Sequence, residues 1–153
     1  MSNGLLSGLT GLSASWSPEE AFVAILYATA LVDGEVHAKE LEQIRTVSHV
    51  VKLFEKRSDA DMDAVIEKVR SKITWDRKGD FPWSLVDSAC QALVRKSLGA
   101  TVFTNACDII FADRTIEQAE VDLLNRLAQK LELQGELANK IIEVIKLKNG
   151  HGD

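Results

Sequence analysis

The sequence predicts an all-α domain of about seven helices, and three observations carry that expectation. From Pro18 onward, apolar residues recur every three or four positions, the period of one helix face. Strand-type alternation is almost absent. An apolar helix running into an acidic turn occurs twice, as "LVDGEVHAKELEQI" at residues 31–44 and as "FADRTIEQAEVDLL" at residues 111–124.

The first helix opens at "SPEE". Ser17 is an N-cap, Pro18 suits the first helical position, and Glu19 and Glu20 complement the positive end of the helix dipole. It is predicted over 18–32. Phe22, Ile25, Leu26, Thr29 and Val32 form one face, and Ala21, Ala24, Ala28 and Ala30 fill much of the rest. A helix without a polar face is buried nearly all round. The second helix is predicted over 37–56, with Leu41, Ile44, Val47 and Val51 inward. Ser58, with Asp61 three residues on, starts a third that carries Met62, Val65, Ile66, Val69 and Ile73. "TWDRKGDFPW" reads as a loop, and Pro82 opens a fourth helix expected to end near Gly99. A second strongly apolar helix follows over 101–112. Residues 117–131 come next, with Val121, Leu124, Leu127, Ala128 and Leu131 inward. The last helix, 135–148, turns Leu137, Ile141, Val144 and Ile145 inward. Residues 1–15 form a flexible or docking segment with Leu5, Leu6, Leu9 and Leu12, and 149–153 a polar tail.

At an offset of eighty, apolar character stays in register. Phe22 aligns with Val102, Leu26 with Ala106, Leu31 with Phe111 and Ile44 with Leu124, and the acids Asp33 and Glu40 align with Asp113 and Glu120. Two pseudo-symmetric three-helix units, joined by the Pro82 helix, are the expected architecture.

Composition narrows the function. A chain of 153 residues with 46% hydrophobic and 27% charged residues can bury a full core as one domain. The formal net charge of −5 argues against a nucleic-acid binder and toward cations or basic partners. The longest apolar stretch, 21–32, is too short to span a bilayer. "MSNGLLSGLTGLSAS" lacks the basic start and apolar run of a secretory signal. Cys90 and Cys107, without CxxC spacing, read as reduced core thiols and fit a cytoplasmic setting. Neither G-x-S-x-G, nor a P-loop, nor H-E-x-x-H is present, so an enzyme is not expected.

Both turns read D-x-x-[VI]-x-x-x-E, which looks like the second half of an EF-hand loop. The positions that would supply its first two ligands hold Thr29 and Leu31, or Ile109 and Phe111, so a self-contained EF-hand is excluded. Two readings of the acids remain. In one, Asp33 and Asp113 bond turn N–H groups, while Glu40 and Glu120 reach back to cap helices begun by His37 and Glu117. In the other, the two apolar helices pack side by side and both turns emerge at one end. Asp33, Glu35, Glu40, Asp113, Glu117 and Glu120 then share a region whose hard oxygen ligands suit Ca²⁺, Mg²⁺ or Mn²⁺. His37 is better placed as a cap than as a ligand.

The run "SPEEAFVAILYATALVDGEVHAKELEQI" is similar to the N-terminal half of the TerB tellurite-resistance family, and "DIIFADRTIEQAEVDLLNRLAQKLEL" resembles the family's second copy, with Arg114 in place of the expected glycine. The resemblance covers residues 16–145. It implies an all-helical fold with internal repeats and a non-enzymatic role in tellurite resistance or a related stress response. It also implies a divalent cation chelated by Asp33, Glu40, Asp113 and Glu120. Expected partners are other stress-response proteins or a second copy of the chain. The aromatic loop at Trp75, Phe81 and Trp83, with Arg77 and Lys78, is expected to fold back over the end of the bundle rather than to stand out as a docking patch.

Overall fold

The computed structural model describes residues 16–34, 36–75, 78–112 and 115–150. Among them are seven α-helices, one short 3-10 turn and no strand. In chain order the helices are α1 (Pro18–Leu31), α2 (Ala38–His49), α3 (Asp59–Lys72), α4 (Trp83–Val94), α5 (Gly99–Phe111), α6 (Gln118–Lys130) and α7 (Gly135–Lys148).

Helix α1 is the axis of the domain. All residues from Ala21 to Leu31 are buried, and α2, α3, α4 and α5 pack around it. Its start is fixed twice over. The Glu20 N–H donates to Ser17 Oγ at 3.1 Å, and the Ser17 N–H donates to Glu20 Oε1 at 3.2 Å, a reciprocal cap. Just before it, the buried Trp16 indole donates to Ser88 Oγ on α4 at 2.8 Å and carries the Lys72 ammonium 4.7 Å from its ring centre. Helix α5 is the second strongly apolar element and lies against α1, as the expected arrangement of the two acidic turns requires.

The second helix is shorter than its apolar pattern suggests. It closes at His49, Val51 turns extended, and Lys52–Phe54 form a 3-10 turn. The adjacent β-branched pair Val50–Val51 disfavours helix continuation. The turn delivers Phe54 into the core, where its ring meets Phe22 edge-on at 5.5 Å.

Gly99 does not close α4; it opens α5. The fourth helix ends at Val94 with Ser97 in the left-handed region (φ 58°), while the Leu98 N–H reaches back to Leu93 O at 3.0 Å. The same closure ends α6, with Glu132 at φ 58° and Leu133 N–H on Ala128 O at 3.0 Å. Gly99 is glycine because of proximity: a Cβ there would lie 3.1 Å from Leu131 O, at the end of α6.

Two further expectations fail by rotation about a helix axis. In α7, Ala138 and Ile145 are the buried residues, while Leu137 and Val144 are exposed. In α6, Leu123 is buried and Val121 is 38% exposed.

The third helices of the two units are not equivalent. Lys68 and Lys72, at the end of α3, pair with Glu20 at the start of α1. Lys148, at the end of α7, pairs with Asp108 at the end of α5. The likeness between the halves therefore does not extend to the direction of α3 and α7.

Trp75, Phe81 and Trp83 fold back on the bundle. Their rings contact in series at 5.1 and 4.7 Å, and Arg126 covers Trp83 at 4.8 Å while forking onto Asp87. Arg77, residues 1–15 and His151 lie outside the described residues. Cys90 and Cys107 are buried free thiols. Burial, with Asp87 or Asp108 nearby, pushes each up to about 12, so both are unreactive at neutral pH.

Two predictions follow from these geometries. Ser97→Gly relieves a left-handed residue and should raise stability by about 0.5–1 kcal/mol, whereas Gly99→Val should destabilise by about 1–3 kcal/mol through crowding against Leu131. Urea melts of both variants measure this, and a Gly99→Val midpoint at the wild-type value would refute the close-approach account. The second concerns acid. Partial burial raises the Glu20 pKa, but the Lys68 hydrogen bond, the Ser17 N–H and Lys72 outweigh it, leaving the carboxyl below its usual range. A depressed carboxyl stabilises above its unfolded pKa of about 4.3 and loses that contribution as pH falls through the lower folded value. Glu20→Gln should accordingly flatten the acid limb of the stability curve below about pH 4.3; an unchanged limb would exclude Glu20 as a contributor.

Candidate functional site

Residues that flank the two acidic turns line one cleft. The C-terminal ends of α1 and α5 and the N-terminal turns of α2 and α6 enclose a cleft of about 310 Å³, lined by Thr29, Ala30, Asp33, Lys39, Glu40, Gln43, Ile109, Ala112 and Glu120. Carboxylates eighty positions apart in the chain thus share one wall.

The first turn follows from Gly34. Helix α1 stops at Leu31, Val32 keeps helical angles as the C-cap, and the Gly34 N–H donates to Leu31 O at 2.8 Å. Gly34 has φ 139°, a conformation L side chains rarely adopt. Asp33 is thereby lifted off the helix axis. It is exposed at the edge of the cleft, so water screens its unfavourable position near the negative end of the α1 dipole.

The two glutamates are held alike. The His37 N–H donates to Glu40 Oε1 at 3.2 Å, and the Glu117 N–H donates to Glu120 Oε1 at 2.9 Å. Each glutamate is the third residue of its helix, where the carboxylate satisfies an otherwise orphaned donor and gains from the helix dipole. They differ in burial: Glu40 is half-buried, while Glu120 is only 6% exposed. A carboxylate that deeply enclosed requires compensation by donors or cations.

Of the six acids singled out from the sequence, Asp33, Glu40 and Glu120 line the cleft. Glu117 does not; it is the exposed N-cap of α6, paired with Glu120 in a reciprocal capping box at the start of that helix. Glu35 and Asp113, together with Arg114, lie outside the described residues. His37 is likewise an exposed N-cap residue. Among the described residues, no three His, Cys, Asp or Glu side chains converge closely enough to hold a metal ion. The oxygen donors of the wall, the carboxylates of Asp33, Glu40 and Glu120 with the Gln43 amide and the Thr29 hydroxyl, suit a hard divalent cation rather than a soft one, although Lys39 adds a positive charge beside them.

Sequence reasoning missed Lys39 and Gln43. Both sit beside Glu40 on the first turns of α2, one residue before it and three after, so α2's register, once known, would have found them. Lys39, which is exposed, adds a positive charge to the lining.

Glu40→Gln and Glu120→Gln should each change stability by less than about 0.5 kcal/mol, because glutamine also accepts the cap N–H. The corresponding alanine variants should cost about 1 kcal/mol. Chemical denaturation compares the pairs. Equal losses for Gln and Ala at Glu120 would mean that the charge, not the cap hydrogen bond, is what the fold uses.

Comparison with protein families, curated proteins and solved structures gives no match.

Proposed function

We propose that this chain is a non-enzymatic, TerB-like domain of a cytoplasmic tellurite-resistance or stress-response system, and that its acidic cleft takes up a hard divalent cation, Ca²⁺, Mg²⁺ or Mn²⁺. One observation carries the proposal: Asp33 and Glu40 from the first acidic turn and Glu120 from the second line the same cleft. Asp113, at the position matching Asp33, supplies a further carboxylate to the same group in this reading. Lys39 acts as the resident counter-charge, which an entering cation must displace.

A second reading has its own observation. The hydrogen bonds from His37 and Glu117 N–H groups to Glu40 and Glu120 give each glutamate a structural task without any metal. The domain is then an interaction module for stress-response proteins, and the acids are helix caps.

Calorimetric titration of the dialysed protein with Ca²⁺ and Mn²⁺ separates the two. The cation reading expects binding by the wild type and a loss of roughly tenfold or more in Asp33→Asn and Asp113→Asn. The double variant should lose little beyond either single, because both act on one ion. Lys39→Gln should tighten binding several-fold by removing the competing charge. Additive losses would divide the cleft into independent loops, and no binding by the wild type would leave the interaction module.

A further inference from the structure

The large hydrophobic side chains exposed among the described residues are Val50, Val121, Leu137, Val144 and Leu147, and three of these five are on α7. This helix packs chiefly against α5, so only one side of it is used by the domain. Ala138 and Ile145 face the core. Leu137, Ile141 and Val144, spaced i, i+4 and i+7, form a flank that is 42% exposed at Leu137 and 61% at Val144, with Ile141 between them partly buried against the core. The neighbouring stripe on the outward side is Glu136, Lys140, Glu143 and Leu147, again at helical spacing, and Leu147 is 63% exposed. An apolar flank on a soluble surface, bordered by alternating charges, has the make-up of an interface core with a polar rim.

We propose that α7 is a homodimer interface, in which the Leu137–Ile141–Val144 flank packs antiparallel against the same flank of a second copy of this chain. Charge complementarity selects that occupant. In an antiparallel pair related by a two-fold axis, the same side of each helix meets its own copy in reverse order. Lys140, which lies 3.5 Å from Glu136 of its own helix in an exposed pair, then comes opposite Glu143 of the other chain, and the contact occurs twice. Leu137 enters between Val144 and Leu147 of the second copy. A parallel pair would instead set Lys140 against Lys140 and Glu143 against Glu143. Along 136, 140, 143 and 147, the two central positions therefore complement each other when reversed and repel when parallel, while Glu136 of each chain lies beside Leu147 of the other. The antiparallel geometry also places each helix N-terminus beside a C-terminus, which the dipoles favour.

Sedimentation equilibrium of the full chain, up to about 100 μM, where even a micromolar interface is populated, tests this. The wild type should dimerise. Val144→Lys with Leu147→Lys should give a monomer with unchanged helicity, since both side chains already face solvent. Glu143→Lys should weaken dimerisation roughly tenfold or more, as should Lys140→Glu, and the combined reversal should restore it, because opposite charges again face each other. A monomeric wild type overturns the proposal. So does a dimer insensitive to Val144→Lys with Leu147→Lys, which would place the interface elsewhere. So does a monomer in which deleting residues 1–15 speeds amide exchange along α7, which would assign the flank to the chain's own N-terminal leucines.

Discussion

The constraint on which this structure rests is the lack of a polar face on α1. Eleven consecutive residues, from Ala21 to Leu31, are buried. A helix of that kind gains its stability only when other elements enclose it, because its own turns offer no side that water will solvate favourably. Four helices, α2, α3, α4 and α5, provide that enclosure. Its many alanines allow the close approach, and the larger Phe22, Ile25 and Leu26 interlock with neighbours such as Phe54. The ion pairs at its N-terminal end, Arg57 on Glu19 and Lys68 on Glu20, are partly exposed and add orientation more than energy.

The acidic cleft is a consequence of that enclosure. Once α5 lies along α1 with both C-terminal ends at the same side, the turns that follow them must emerge together, and the helices they start must begin there too. Every carboxylate near a helix start finds orphaned N–H groups, so Glu40 and Glu120 are stabilised locally before any ligand is considered. The same placement concentrates negative potential over a small region, which Lys39 partly offsets. Structural and ligand-binding roles of these acids are therefore compatible. A capping carboxylate keeps its negative charge while it accepts the backbone N–H.

Away from the cleft, the domain shows how the same helix vocabulary is used asymmetrically. Helix α3 is tied to the start of α1 through Glu20, and α7 to the end of α5 through Asp108. Helix α3 contributes Met62, Ile66 and Val69 to the core, whereas α7 contributes Ala138 and Ile145 as its buried residues and keeps Leu137, Val144 and Leu147 exposed.

Much of the fold was legible in the residues themselves. The caps at Ser17 and Ser58, the all-round burial of α1, the break at Gly34 and the seven-helix count follow from local chemistry, because hydrogen-bond caps, glycine torsions and apolar spacing act within a few positions of the chain. So did the candidacy of Asp33, Glu40 and Glu120, which rests on a repeated local pattern. Tertiary structure decided what depends on distance across the fold. Gly99 reads as a helix end in sequence, but it is the first residue of α5, and what leaves no room for a Cβ there is Leu131, distant in the chain. The rotation of α6 and α7, which buries Leu123 and Ala138 instead of Val121 and Leu137, depends on which neighbour each meets, since a helix with apolar residues on several sides fits more than one face. The entry of Lys39 and Gln43 into the cleft, and the exclusion of Glu117 from it, were fixed only when two segments eighty residues apart came to share a wall. Periodicity tells a chain which residues to bury; only packing between helices tells it against what.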